Sequence, residues 1–136
     1  MTRRIARLAL TSPLVMAAAL AACSSSTDSS AGGGNPPSAD VIIVQGAQLM
    51  GFQAYSPDTI TVNLHGAPSV TLVWRNDEPA NSGIAHTVTD TTAAHAFDTG
   101  GIDPGKTDSV TFTTAGSYPY KCTFHQGMRG LVIVQS

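Results

Sequence analysis

From residue 40 onward, apolar and polar positions alternate with a period of two, the pattern of strands with one face buried. Residues 41–44 form a short apolar run. Ile60, Val62 and Leu64 alternate with Thr59, Thr61 and Asn63, and Val70, Leu72 and Trp74 with Thr71, Val73 and Arg75. His86 and Val88 should face one way and Thr87 and Thr89 the other. Val110 and Phe112 alternate with Thr111 and Thr113, and residues 131–135 make a last strand. Between these runs stand turn formers: Ser56-Pro57-Asp58, His65-Gly66-Ala67-Pro68, Asn81-Ser82-Gly83, Asp98-Thr99-Gly100-Gly101 and Asp103-Pro104-Gly105. No stretch of this region sustains a helical period. Many short strands at such spacing predict an all-β domain, a two-sheet antiparallel Greek-key β-sandwich over residues 40–136.

The first forty residues read differently. Arg3, Arg4 and Arg7 precede an apolar run from Leu8 to Ala22 that Thr11, Ser12 and Pro13 interrupt. It is too short and too broken to be a comfortable permanent span, and residues 1–22 read as a signal peptide. Its end, Leu20-Ala21-Ala22-Cys23, resembles the lipobox of bacterial lipoproteins. That resemblance implies cleavage before Cys23, lipid on its sulfur, and an extracytoplasmic, membrane-anchored place in the bacterial envelope. Residues 23–39 continue as a Ser-, Gly- and Pro-rich tether with no core-forming residue. Its end-to-end distance is about 20–25 Å by the flexible-chain rule.

Composition narrows the classes further. A chain of 136 residues leaves room for one domain once its ends are discounted. Charged residues make up 12% and aromatics 6%, which suits a small exported β-rich domain. Without the first segment, Arg75, Lys106, Lys121 and Arg129 stand against nine acids, a balance of 4 − 9 = −5. No basic patch of the kind nucleic acids need is present in the sequence. The two cysteines, 23 and 122, would suggest a disulfide in an exported protein, but each has a more specific use.

Cys122 opens the stretch that carries the chemistry: Tyr118-Pro119-Tyr120-Lys121-Cys122-Thr123-Phe124-His125-Gln126-Gly127-Met128-Arg129-Gly130. Tyr118, Tyr120 and Cys122 share parity, so on a strand they point to one face. Gly127 and Gly130 suit a tight loop after the cysteine. The spacing Cys-x-x-His-x-x-Met gathers a thiol, an imidazole and a thioether, donors that copper favours. A second imidazole is needed, and His86 is the best placed. Each residue alone has a plain use: Cys122 as buried filler, His86 as a core histidine, His125 as a solvated one, Met128 as packing. The ordered set is what points to a metal. Zinc fits the cysteine and histidines as well, and the methionine favours copper.

These residues resemble the cupredoxins, the type 1 blue copper proteins. The likeness extends over nearly all of residues 40–136, beyond the ligands alone. Tyr55-Ser56-Pro57-Asp58-Thr59-Ile60-Thr61-Val62 is similar to the family's aromatic-x-Pro-x-x-Ile-x-Val opening, and Val73-Trp74-Arg75-Asn76-Asp77 to its Val-x-Trp-x-Asn segment. His86-Thr87-Val88, Phe97-Asp98-Thr99-Gly100, Pro104-Gly105 and Gly116-Ser117-Tyr118-Pro119-Tyr120 also match. The short ligand loop is most like that of amicyanin; plastocyanin and pseudoazurin carry a longer His-to-Met gap.

The resemblance implies one copper ion held by His86, Cys122 and His125, with Met128 as a weak axial ligand. It also implies electron transfer to a redox protein partner by a monomer that transforms no substrate. His125 would be the port for electrons, with Phe124, Gln126 and Gly127 forming the contact patch around it. Thr87 stands where many members place an asparagine that braces the ligand loop, so any brace here must join Thr87 to Thr123. The 76–85 and 66–70 loops look long for the family.

Two other functions compete. A copper oxidase or nitrite reductase fragment would need further copper centres on His-x-His or His-Cys-His clusters, which the sequence lacks. A copper-binding or homeostasis lipoprotein without a dedicated electron-transfer partner would be expected to carry Met- and His-rich tracts. Only Met50 and Met128 follow the signal segment. His65 and His95 share no spacing with the ligand set and are expected in turns, and Met50 in the core or at its rim.

Overall fold

The computed structural model describes residues 38–136, and the signal segment, Cys23 and most of the tether lie outside them. Eight strands follow in chain order: β1 (Val41–Ile43), β2 (Tyr55–Ser56), β3 (Thr59–Asn63), β4 (Val70–Asn76), β5 (Thr89–Asp90), β6 (Thr107–Phe112), β7 (Gly116–Lys121) and β8 (Arg129–Gln135). They form two four-stranded sheets, β2-β1-β4-β6 and β3-β8-β7-β5. The expected all-β sandwich is present, but its sheets are mixed rather than purely antiparallel. β1 lies parallel to β4, and β3 parallel to β8. Parallel neighbours need crossovers instead of hairpins. Here the chain pairs β2 with β1, crosses to β3 in the other sheet and returns as β4 beside β1, and it revisits the first sheet before β8 comes back beside β3.

Alternation explains the core. In β4, Leu72, Trp74 and Asn76 are buried while Thr71 is exposed. Val110 and Phe112 of β6, and Val132 and Val134 of β8, turn inward in the same way. Trp74 and Tyr120 meet across the layers edge to face at 5.7 Å, and Tyr55 meets Tyr120 at 4.9 Å. The Trp74 indole N–H donates to the Tyr120 hydroxyl at 3.4 Å. Burying an aromatic of this size contributes about 4–6 kcal/mol, which makes this trio the anchor between the sheets.

Two features depart from simple alternation. The 44–54 connection contains two short 3-10 turns, Ala47–Leu49 and Gly51–Gln53, where no helical period was visible. It leaves Leu49, Met50 and Phe52 exposed, so Met50 belongs to the rim. His86 is also outside any strand; it makes an isolated bridge to Ile102, and β5 begins only at Thr89. His86, Thr87 and Val88 are therefore all buried, and Thr87 does not face solvent as a regular strand would have it. The cause lies in the next layer of contacts, because the ligand loop covers Thr87.

Candidate metal centre

β7 ends at Lys121, and Cys122 is the first residue beyond it. Its parity with Tyr120 turns the side chain inward, and both are buried, with Tyr118 partly so. The Cys122 N–H donates to the Met128 carbonyl at 3.2 Å, closing the loop into a compact ring before β8 begins. Gly127 supplies the left-handed turn this needs, at φ 85°. Gly130 has another role. It lies within β8 opposite Tyr120, and a Cβ there would collide with the Tyr120 ring at Cζ and the hydroxyl.

The loop brings three of the expected ligands together. Sγ of Cys122 stands 3.6 Å from Nδ1 of His125 and 3.9 Å from Nδ1 of His86. The ligand atoms of these three residues all lie within 4.8 Å of one another. Donors sharing one ion at about 2.0–2.3 Å stand roughly 3.5–4 Å apart, so the spacing fits a single metal. His86 is fully buried, and His125 is half-buried, with the exposed ring of Phe124 edge-on at 6.5 Å. Gln126 and Gly127 are exposed beside it. Met128 is buried in the same cluster as Cys122. His65 and His95 sit apart in turns, at φ 48° and 43°.

The thiol is prepared for a metal. Burial pushes its pKa up, but hydrogen bonds from the His86 ring, the Thr87 N–H, the His125 ring and the Phe124 N–H outweigh this and bring it to about 6. The thiolate is the form that ligates. One of those donors, the Thr87 amide, reaches Sγ at 3.4 Å.

Thr87 also clasps the loop. Its hydroxyl accepts from the Thr123 N–H at 2.9 Å and meets the Thr123 and Thr89 hydroxyls at 3.2 and 3.0 Å. The Tyr55 hydroxyl holds the Thr87 carbonyl at 2.7 Å. The Thr87–Thr123 brace expected from the sequence is therefore formed.

Sequence reasoning missed Glu78. This carboxylate is only 4% exposed, accepts from the Gly46 and Ala47 N–H groups at 2.9 and 3.1 Å, and faces Nε2 of His86 at 3.4 Å. With a metal bound, Nε2–H would donate to this carboxylate and leave the Nδ1 lone pair for the ion. Asn76 sets the backbone of this approach loop. Its amide donates to the Ile84 and Ile102 carbonyls, both at 2.9 Å, and its oxygen accepts from the Glu78 N–H at 3.0 Å. A lone acid has no periodicity or spacing to betray such a role.

Comparison with known proteins bears on the fold and the family. Among solved structures, a purple cupredoxin from Nitrosopumilus maritimus is 24% identical, covering 72% of this chain and 100% of its own, with a TM-score of 0.59. A reduced amicyanin mutant is 30% identical over 60% of this chain and 72% of its own, with a TM-score of 0.49. A copper-containing nitrite reductase from Thermus scotoductus is 20% identical, covering 60% of this chain but 20% of its own, with a TM-score of 0.51. No curated protein sequence matches the chain. The family model for copper binding proteins of the plastocyanin/azurin family matches residues 42–135, and the chain belongs to that family.

Proposed function

We propose that this protein is an extracytoplasmic electron carrier with a single type 1 copper, exchanging electrons with a redox protein partner and transforming no substrate. The observation that carries this is the convergence of Cys122, His86 and His125 within 4.8 Å inside a braced loop. His86, Cys122 and His125 would hold the ion strongly, and Met128 would add a weaker thioether donor. Bound there, copper supplies a one-electron Cu(II)/Cu(I) couple. The chain's own part is to keep the donors still. The Thr87 clasp and the Cys122–Met128 backbone bond hold the loop from both sides, so little needs to move when charge changes.

His125 is the ligand nearest solvent, and with Phe124, Gln126 and Gly127 it forms the surface a partner would meet. A lipid on Cys23 and the 23–39 tether would keep a monomeric domain close to a membrane in the bacterial envelope. This placement rests on the sequence of residues 1–39.

The test is the visible spectrum of the copper-loaded chain. It should show an intense thiolate-to-copper band that bleaches on reduction and vanishes in Cys122→Ser. Met128→Leu should retain the band with a raised potential, because losing a donor disfavours Cu(II). A colourless Cu(II) protein would overturn the proposal.

A further inference from the structure

The outer face of the β3-β8-β7-β5 sheet carries a groove of about 640 Å³ that runs from the ligand loop toward Thr59. Pro119 and Leu131 are opposed in the β7–β8 register, and Lys121 and Arg129 are opposed two residues further along. Alternation sends all four side chains outward, away from buried Tyr120 and Val132. Phe52, exposed on the second 3-10 turn, adds an apolar wall. The groove continues over Phe124 and His125.

The charge pattern singles this groove out. Residues 38–136 hold four bases and eight acids, a balance of 4 − 8 = −4. Two of the four bases, Lys121 and Arg129, line the groove, and Asp58 is its only acid, giving 2 − 1 = +1. The remaining described residues then carry 2 − 7 = −5. Among the described residues Lys121 and Arg129 form no ion pair, whereas Arg75 is bound to Asp77. Like charges directly opposed across a strand pair repel, and an external anion would relieve them. Elsewhere the net negative surface repels the same anion.

We propose that this groove docks an acidic segment of the protein's redox partner, with carboxylates against Lys121 and Arg129 and apolar groups over Pro119, Leu131 and Phe52. The partner's body then lies over Phe124 and His125. The redox nature of the partner rests on the electron-carrier function proposed above; the acidic character of the segment rests on the groove alone. Because the charges lie on the rim, they steer encounter and set its salt dependence more than they lock the complex.

A hexaglutamate peptide titrated into the full chain at low salt, followed by NMR, tests this directly. The backbone amides of Thr91, Lys121 and Arg129 should shift saturably, and binding should collapse at roughly 200 mM salt, where screening is strong. Lys121→Glu with Arg129→Glu should weaken binding on the order of tenfold or more, while Lys106→Glu leaves it unchanged. If the double reversal perturbs folding, Lys121→Gln with Arg129→Gln should give a smaller loss in the same direction. Shifts confined to other surfaces, absence of binding, or equal affinity in the neutralised variant would overturn the docking site. The outcome is separable from the electron-carrier test: a colourless copper protein that still binds the peptide here would discard that function and keep the groove. A blue protein that ignores the peptide would do the reverse.

Discussion

Glu78 and Cys122 hold His86 from opposite sides, the carboxylate 3.4 Å from Nε2 and the sulfur 3.9 Å from Nδ1. The same carboxylate oxygen accepts from the Gly46 and Ala47 amides. One buried acid thus ties the 3-10 segment to the ring orientation of a metal ligand.

Glu78→Gln should keep an acceptor for the two amides and lose the charge facing His86. Outer-shell partners of this kind are worth about 10–100-fold in metal affinity, so copper affinity should fall by that order. The potential should rise, because a nearby negative charge favours Cu(II) over Cu(I). Glu78→Ala should in addition destabilise the apoprotein by about 2–4 kcal/mol, since one buried and one part-buried N–H group lose their acceptor. Copper competition titration, voltammetry and urea unfolding read these separately. Unchanged affinity and potential in Glu78→Gln would remove the role assigned to it.

The difference between Glu78 and Thr87 shows what a sequence makes legible here. Period-two alternation reports which residues face inward, so β4, β6 and β8 could be read directly from Leu72, Trp74, Phe112 and Val132. It carries no information on which strand lies beside which, and the parallel β1–β4 and β3–β8 pairings were invisible for that reason. Cys-x-x-His-x-x-Met was legible because one loop holds all three donors. The partner of Thr87 could be named because the cupredoxin resemblance marks its position. Glu78 acts through a contact eight residues away across an irregular loop, where no periodicity applies. Gly130 suits a turn by its sequence position, and the structure shows it instead as the space Tyr120 occupies.

Gly130→Ala should therefore destabilise the protein without any backbone strain. The added methyl meets the Tyr120 ring, which is itself fixed between Trp74 and Tyr55. Overpacking of this sort costs about 1–3 kcal/mol. The hydroxyl is one of the two nearest atoms, so Tyr120→Phe should recover part of the loss even though it gives up the Trp74 hydrogen bond. Urea unfolding of the two single variants and the double variant measures this coupling. Strict additivity would mean that the ring is not what Gly130 accommodates.

Asp90 supplies the pH-dependent part of stability at the far end of β5. Its Oδ1 accepts from the Thr92 N–H at 2.8 Å, and its Oδ2 from the Thr92 hydroxyl at 2.6 Å and the Ala96 N–H at 2.8 Å. Burial raises the carboxyl pKa, but these hydrogen bonds, with His95 nearby, outweigh it and hold the pKa below its ordinary value. A depressed acid contributes stability above its unfolded pKa, near 4, and loses it as pH falls through the lower folded value. Asp90→Asn keeps one acceptor and forfeits the charge-assisted bonds on the other oxygen, a loss of about 1–3 kcal/mol at neutral pH. The deficit should shrink below roughly pH 4, where the unfolded wild-type chain takes up a proton that the folded carboxylate still resists, and vanish as the folded carboxyl is protonated in turn. Urea midpoints of the two proteins followed from pH 7 down to about 3 should therefore converge in acid. Parallel curves across that range would show that the carboxylate charge contributes nothing to closing the 91–96 turn.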